Sequence, residues 1–513
     1  MHPVDERLPL GRLAVLGLQH VLVMYAGCVA VPLIVGGALG LDTRTIAILV
    51  NADLFVAGVI TIIQSVGVGK ILGVRLPIVA GATFTALNPM ILIGAKYGMP
   101  AVYGAILCSG VFGLLIAKPF AKVIHLFPPL VTGTVITIIG LSLIDAGAGL
   151  IAGNDESAPS YGQLSHLALA GSIILLIVLI NRFARGFLVS LAVLIGLIFG
   201  VVVASFMGLV DFSNVADAGW FGLARPFYFG PPEFQAAAII SMCIVMLVIY
   251  VESTADMLAV ANLTDKEISE NDIARGLAAD GLSGILAGTF NSFLDTAFAQ
   301  NVGLVQVTRV KSRYVVTAAG IILVLLGLIP KLGEVIAAIP GPVIGGAALV
   351  MFATVTAVGI RSLRRVTFDG NHNLLIVAIS LGAGMVPVVA PAFYARMPDE
   401  LEIIFGSSIT TTVIIVFLLN LLFNVFPFPR PAAEPSPASG SGDTPPPAAE
   451  PGVPAASTPP ASAPADPAPL ASTSTAEPAA APQSSVPAKP AVTQADPAEP
   501  AKATSPEPAP PTS

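Results

Sequence analysis

Residues 290–309 read FNSFLDTAFAQNVGLVQVTR. The apolar frame of this stretch is broken in its first half by Asn, Ser, Asp, Thr and Gln, which leaves it too short for a clean spanning helix. The pattern predicts a short extended piece followed by a half-helix. A second stretch of the same kind, VAGATFTALNP at residues 79–89, mixes Gly, Thr, Asn and Pro into another apolar run. Unpaired backbone groups at membrane depth are tolerated only where protein or a water-filled cavity satisfies them. Two such breaks mark a site, and their free N–H groups suit a ligand rich in carbonyl oxygens.

The surrounding chain is built for a bilayer. Of its 513 residues 55% are hydrophobic and 11% charged, against about 25% charged in an ordinary soluble domain. Hydropathy predicts an all-α membrane protein of about 14 transmembrane segments, running from 13–36 to 406–427. The broken stretches fall in segments three (77–95) and ten (294–308), each the third of a set of seven. Seven is odd, so a repeated second half lies inverted in the membrane, a common plan of secondary transporters. With the N-terminus inside, 17 of the 24 Lys and Arg residues face the cytoplasm, 5 the opposite side, and 2 lie in the tail. That bias is the positive-inside pattern and leaves both termini cytoplasmic. Residues 1–12 form the N-terminus and 13–430 the membrane domain. Residues 431–513 hold 23 of the 44 prolines and no aromatic residue, so that tail is expected to be disordered.

Other classes find little support. The net charge of −7 comes largely from the tail and suggests no nucleic-acid surface. Cys28, Cys108 and Cys243 sit singly in apolar runs and read as small core residues. Metal-ligand clusters, phosphate loops and nucleophile elbows are absent from the sequence, so neither an enzyme, a metal nor a cofactor is expected.

The ionisable residues inside the predicted spans are few. Glu252 and Asp256 in segment eight (235–258) are four apart and share a helical face. Such groups line a cavity or meet a partner, or are merely solvated at the helix end, and both readings stay open. Asp280 in segment nine (272–289) reads equally as a structural hydrogen-bond partner or as a proton carrier. His20, beside Gln19 in segment one, is more simply a packed, hydrogen-bonded residue than a ligand.

Segment ten also contains Gln300-Asn301-x-Gly303-x4-Thr308-Arg309. This resembles the signature of the nucleobase–ascorbate transporter family, also called the nucleobase–cation symporter-2 family, in the form of its bacterial xanthine and uric acid permeases. The Gln19-His20 pair, Glu252 with Asp256, and Asp280 with Gly281 match the family's polar positions in order. The resemblance spans about residues 10–428. It implies two inverted seven-segment repeats arranged as a core (about 13–124 and 235–330) and a gate (about 125–234 and 331–430), a homodimer, and an elevator-like step. By position it implies that Glu252 and Gln300 bind a purine edge, with backbone near Phe84 and Ala299 completing the site. Asn301, Asp280, Asp256 and His20 would support it and its protonation.

The chemistry fits these roles. Xanthine and urate alternate N–H donors with carbonyl acceptors, a carboxylate accepts two N–H bonds, and a Gln amide both donates and accepts. Thr85 stands where xanthine-selective relatives often carry Asn, which tilts the reading toward urate. Leu294-Asp295 replaces the Pro-Tyr or similar pair of many relatives; the extra acid either alters selectivity or, the reading favoured, faces the aqueous entrance. The function expected is proton-coupled import of uric acid or xanthine across the inner membrane. The alternatives are a uracil permease, an anion transporter of the sulfate or bicarbonate type, and a receptor or scaffold that works through its tail.

Overall fold

The computed structural model describes residues 2–426 apart from 154–157, 159, 370 and 371. The tail expectation therefore lies outside the described residues. The first half comprises α1 (Leu10–Ala38), α2 (Thr43–Val66), β1 (Ala80–Ala82), α3 (Leu87–Tyr97), α4 (Met99–Val123), α5 (Pro129–Ser142), α6 (Ile144–Ala152), α7 (Leu164–Phe183), α8 (Phe187–Ser190) and α9 (Ala192–Phe206). After the short α10 (Ser213–Asp217), the second half comprises α11 (Ala236–Thr264), α12 (Glu270–Phe290), β2 (Asp295–Ala297), α13 (Ala299–Thr308), α14 (Arg313–Gly327), α15 (Pro330–Ala337), α16 (Gly341–Leu363), α17 (Asn373–Val389), α18 (Asp399–Phe405) and α19 (Ser408–Asn420).

Local chemistry sets the ends of these helices. Asp42 caps α2, its Oδ1 accepting the Thr45 amide at 2.8 Å. Ser269 and Asp272 form a reciprocal capping box at the start of α12. Asn291 ends that helix in the left-handed region, at φ 61°, a conformation Asn tolerates better than most residues. Pro330 lacks an N–H and opens a new helix, so α14 and α15 meet at 82°. The segment expected at 314–330 is met by α14, and α15 follows it at that angle.

Every one of the fourteen expected segments contains at least one helix. Among the described residues, eight helices are long and apolar enough to cross a membrane, or nine with the bent pair. The chain is an integral membrane protein of two inverted repeats, and its packing obeys that symmetry. In the first half, α2 lies along α14 of the second; α12, the counterpart of α2, lies along α4, the counterpart of α14. The same exchange relates α1 on α14 to α11 on α4, and α5 packs on its own counterpart α16. Glycines allow both close crossings. A Cβ on Gly58 would stand 2.7 Å from the Gly320 oxygen, and one on Gly284 would stand 2.7 Å from the Gly110 Cα. Small residues at such crossings are the ordinary means of helix association in lipid.

Candidate functional site

The two broken segments meet. β1 and β2 pair antiparallel, Ala80 opposite Ala297, Gly81 opposite Thr296 and Ala82 opposite Asp295. The ladder continues at both ends, where Thr83 N donates to Leu294 O and Phe298 N to Val79 O, each at 2.9 Å. Hydroxyls from three helices hold this ribbon. Ala80 N donates to Thr61 Oγ1 of α2 at 2.9 Å, Ala297 N to Ser253 Oγ of α11 at 3.1 Å, and Asp295 N to Ser283 Oγ of α12 at 3.1 Å. Backbone that would be orphaned in a bilayer is thus satisfied by side chains.

Beyond β1, Thr85 Oγ1 donates to the carboxylate of Glu252, 2.9 Å from Oε1 and 3.0 Å from Oε2. One hydroxyl hydrogen is shared between two oxygens, which leaves most of the lone pairs of the carboxylate uncommitted. Phe84 is buried, with its ring edge against Phe352 at 5.5 Å. Beyond β2, Ala299 and Gln300 are exposed in the first turn of α13. The N-cap there is Phe298, which offers no side-chain acceptor. Those first N–H groups are free to meet a ligand.

His20 and Asn301 are brought together. Asn301 Nδ2 donates to the His20 carbonyl at 3.0 Å and stands 3.1 Å from its Nδ1; the network assigns the ring proton to Nε2. Asp280 is buried, its Oδ1 accepting from Gln64 Nε2 at 2.9 Å while Oδ2 has no partner. Asp256 is half-buried one turn beyond Glu252, with no hydrogen bond among the described residues. Gln300 likewise makes no bond to Glu252. Between α11 and the helices α5 and α19 the space beside Glu252 is a cavity of about 10 Å³, walled by Val251, Val131, Val135 and Val413. That is room for about one water.

One expectation needs correction. Asp295 is not at an aqueous entrance. It is fully buried, neither carboxylate oxygen has a partner, and its charged neighbours are the acids Asp53 and Asp280. Its place in β2, paired with Ala82, draws it inward. Cys28 is a buried core residue as expected, and its thiol also donates to Asp53 Oδ2 at 2.8 Å, while Ser292 Oγ donates to Oδ1 at 3.2 Å. Asp53 escaped the sequence reading although it is an acid in an apolar run, the same signal that singled out Asp280. Among the described residues no group of three or more His, Cys, Asp or Glu side chains is arranged to hold a metal ion.

Comparison with known proteins adds an independent line. The profile of the Permease family matches residues 11–393. The chain is 44% identical to the uric acid transporter UacT of Escherichia coli (strain K12) over 82% of its own length and 88% of that protein. It is 45% identical to the xanthine permease of Bacillus subtilis (strain 168), over 81% of this chain and 94% of the relative. The uric acid permease PucK of Bacillus subtilis (strain 168) is 43% identical, over 80% and 95%. Among solved structures, SLC26A9 superposes with a TM-score of 0.56 at 14% identity, over 81% of this chain and 66% of that one. The murine Slc26a9 anion transporter in its inward-facing state gives 0.52 at 13%, over 82% and 69%. Likeness at that distance speaks for the fold alone.

Proposed function

The chain belongs to the Permease family, the nucleobase–ascorbate transporters that its signature resembles, and on that premise we propose that it imports an oxidised purine, uric acid or xanthine, together with a proton. The observation that carries this reading is the Thr85 hydroxyl on the Glu252 carboxylate, because it sets an acid with uncommitted lone pairs beside two paired, broken segments. Relatives named for urate and xanthine support the cargo.

Glu252 accepts two N–H groups of the purine edge, and Gln300 both donates and accepts along it. The open N–H groups at the start of α13 take a carbonyl oxygen. Phe84 supplies an apolar wall. Asn301 and His20 position the first turn of α13, and Asp280 with Gln64 steadies α12 behind the ribbon. Asp256 supports proton uptake on the same helical face. Leaving any of these polar groups unpaired in a dry site costs about 1–3 kcal/mol each, which rejects heterocycles lacking a matching edge. Charge in an apolar interior is costly, and a proton relieves it; uptake of a proton at the acid cluster therefore favours crossing of the loaded carrier.

The 10 Å³ cavity cannot hold a heterocycle, so substrate enters only when α5 and α19 withdraw from α11. That requirement supports an elevator-like movement of a core, segments 1–4 and 8–11, against a gate, segments 5–7 and 12–14. Fourteen spans, a homodimer and cytoplasmic termini in the bacterial inner membrane complete the proposal. Uptake of labelled urate, xanthine and uracil tests it, in cells lacking their own permeases and with or without a protonophore. Urate or xanthine should accumulate and the protonophore should abolish it; uptake of uracil alone, or uptake indifferent to the protonophore, would refute the reading.

A further inference from the structure

A second cavity, of about 530 Å³, lies apart from Glu252 and falls within the 300–1,000 Å³ typical of small-molecule sites. The start of α2 and the bent helix α15 form one side of it, and the chain from 214 to 228 covers the other. That covering strap is fastened. Gly222 N donates to Leu328 O at 3.0 Å, Phe227 N to Thr289 O at 2.9 Å, and Tyr228 N to Asn291 Oδ1 at 2.7 Å. Gly219 O accepts from Lys331 N at 3.3 Å. The wall is thus a fixed part of the fold.

Two buried acceptors in the lining have nothing to accept. Glu334 Oε2 and Asn51 Oδ1 lack any hydrogen-bond partner, although their residues are only 8% and 7% exposed. Orphaned buried acceptors of this kind ask for a donor. Gly333 brings α15 this close to α2, since a Cβ there would stand 2.4 Å from Asn51 Nδ2. Arg44 and Arg225 line the same cavity, are exposed, and make no ion pair among the described residues. Two further acids, Asp42 and Asp217, line the cavity; Asp42 accepts from Thr45 with both oxygens and keeps lone pairs to spare.

We propose that this cavity is a loading site for the same oxidised purine, occupied before the substrate reaches Glu252. The inference rests on the transport reading above and adds a second binding step to it. A purine N–H edge satisfies Glu334 and Asn51, while carbonyl oxygens, or the negative charge of urate, lie against the guanidinium groups of Arg44 and Arg225. The lining mixes two arginines with the acids Asp42, Asp217 and Glu334, which suits a ligand carrying both N–H donors and carbonyl acceptors, whereas an inorganic anion would leave both buried acceptors unsatisfied. In the proposed orientation both arginines face away from the cytoplasm, the side from which substrate is imported.

Equilibrium binding of labelled urate to the purified full-length protein tests the idea. The wild type should bind two equivalents per chain. Glu252→Gln should leave one, Arg44→Gln should leave the other, and Arg44→Gln should slow uptake at sub-saturating urate about tenfold. Arg44 is exposed, so that variant should fold; Glu334→Gln serves as a second, independent probe. A single wild-type equivalent, lost in Glu252→Gln, overturns the loading site and leaves the transport reading intact. Two equivalents retained in both Arg44→Gln and Glu334→Gln overturn it as well. No binding by any form overturns the transport reading itself.

Discussion

Glu252 meets one hydroxyl and no cation among the described residues. Its remaining lone pairs are what a purine edge needs, and its charge is what a proton answers. Glu252→Gln keeps the shape and removes the charge. It is expected to weaken substrate binding about tenfold to a hundredfold and to abolish proton-driven accumulation, read as uptake with and without a protonophore. Full proton-driven uptake by the variant would end the carrier role of Glu252. Asp295 poses the opposite puzzle, a buried carboxyl that bonds to nothing. Natural sites keep such destabilising groups where function needs them. Asp295→Asn is expected to raise the melting temperature and to impair proton-coupled uptake; a lower melting temperature with unimpaired uptake would make Asp295 structural.

The β1–β2 ribbon works because three helices each lend it one hydroxyl, and each helix in turn depends on its own ends and crossings. Asp42 begins α2. Hydrogen bonds from the amide and then the hydroxyl of Thr45 hold its carboxyl below the ordinary range. A carboxyl depressed in the folded state stabilises above its unfolded pKa, about 3.9, and that contribution fades as pH falls toward the folded value. Asp42→Ala should therefore cost about 1 kcal/mol near neutral pH, and its melting temperature should converge on that of the wild type below about pH 4. At the α4–α12 crossing, Gly284→Val would drive its side chain into the Gly110 backbone. Overpacking of that kind costs about 1–3 kcal/mol. The displaced α12 would carry Ser283 and Asp280 with it, so uptake should fall together with thermal stability; normal values of both would show that the crossing tolerates bulk.

At the scale of the whole molecule, residues 431–513 are expected to be dispensable: deleting them should leave urate uptake unchanged, whereas loss of uptake would favour a receptor or scaffold. Much of the architecture was legible in the sequence. Runs of apolar residues located the helices, and the polar interruptions at 79–89 and 290–301 located the two strands. The rarity of acids and amides in apolar helices is what singled out Glu252, Asp280 and Asn301. The hydroxyl clamps Thr61, Ser253 and Ser283 were not legible, because Ser and Thr are common in spanning helices and only the tertiary path decides which of them meets a strand. Burial of Asp295 was likewise unreadable, for period and composition do not reveal which side of a ribbon faces the interior. The exchange of neighbours between halves, α2 on α14 and α12 on α4, has one more consequence. On the proposed transport reading, giving each half the shape of its twin would move the doorway of the carrier to the far side with no additional parts.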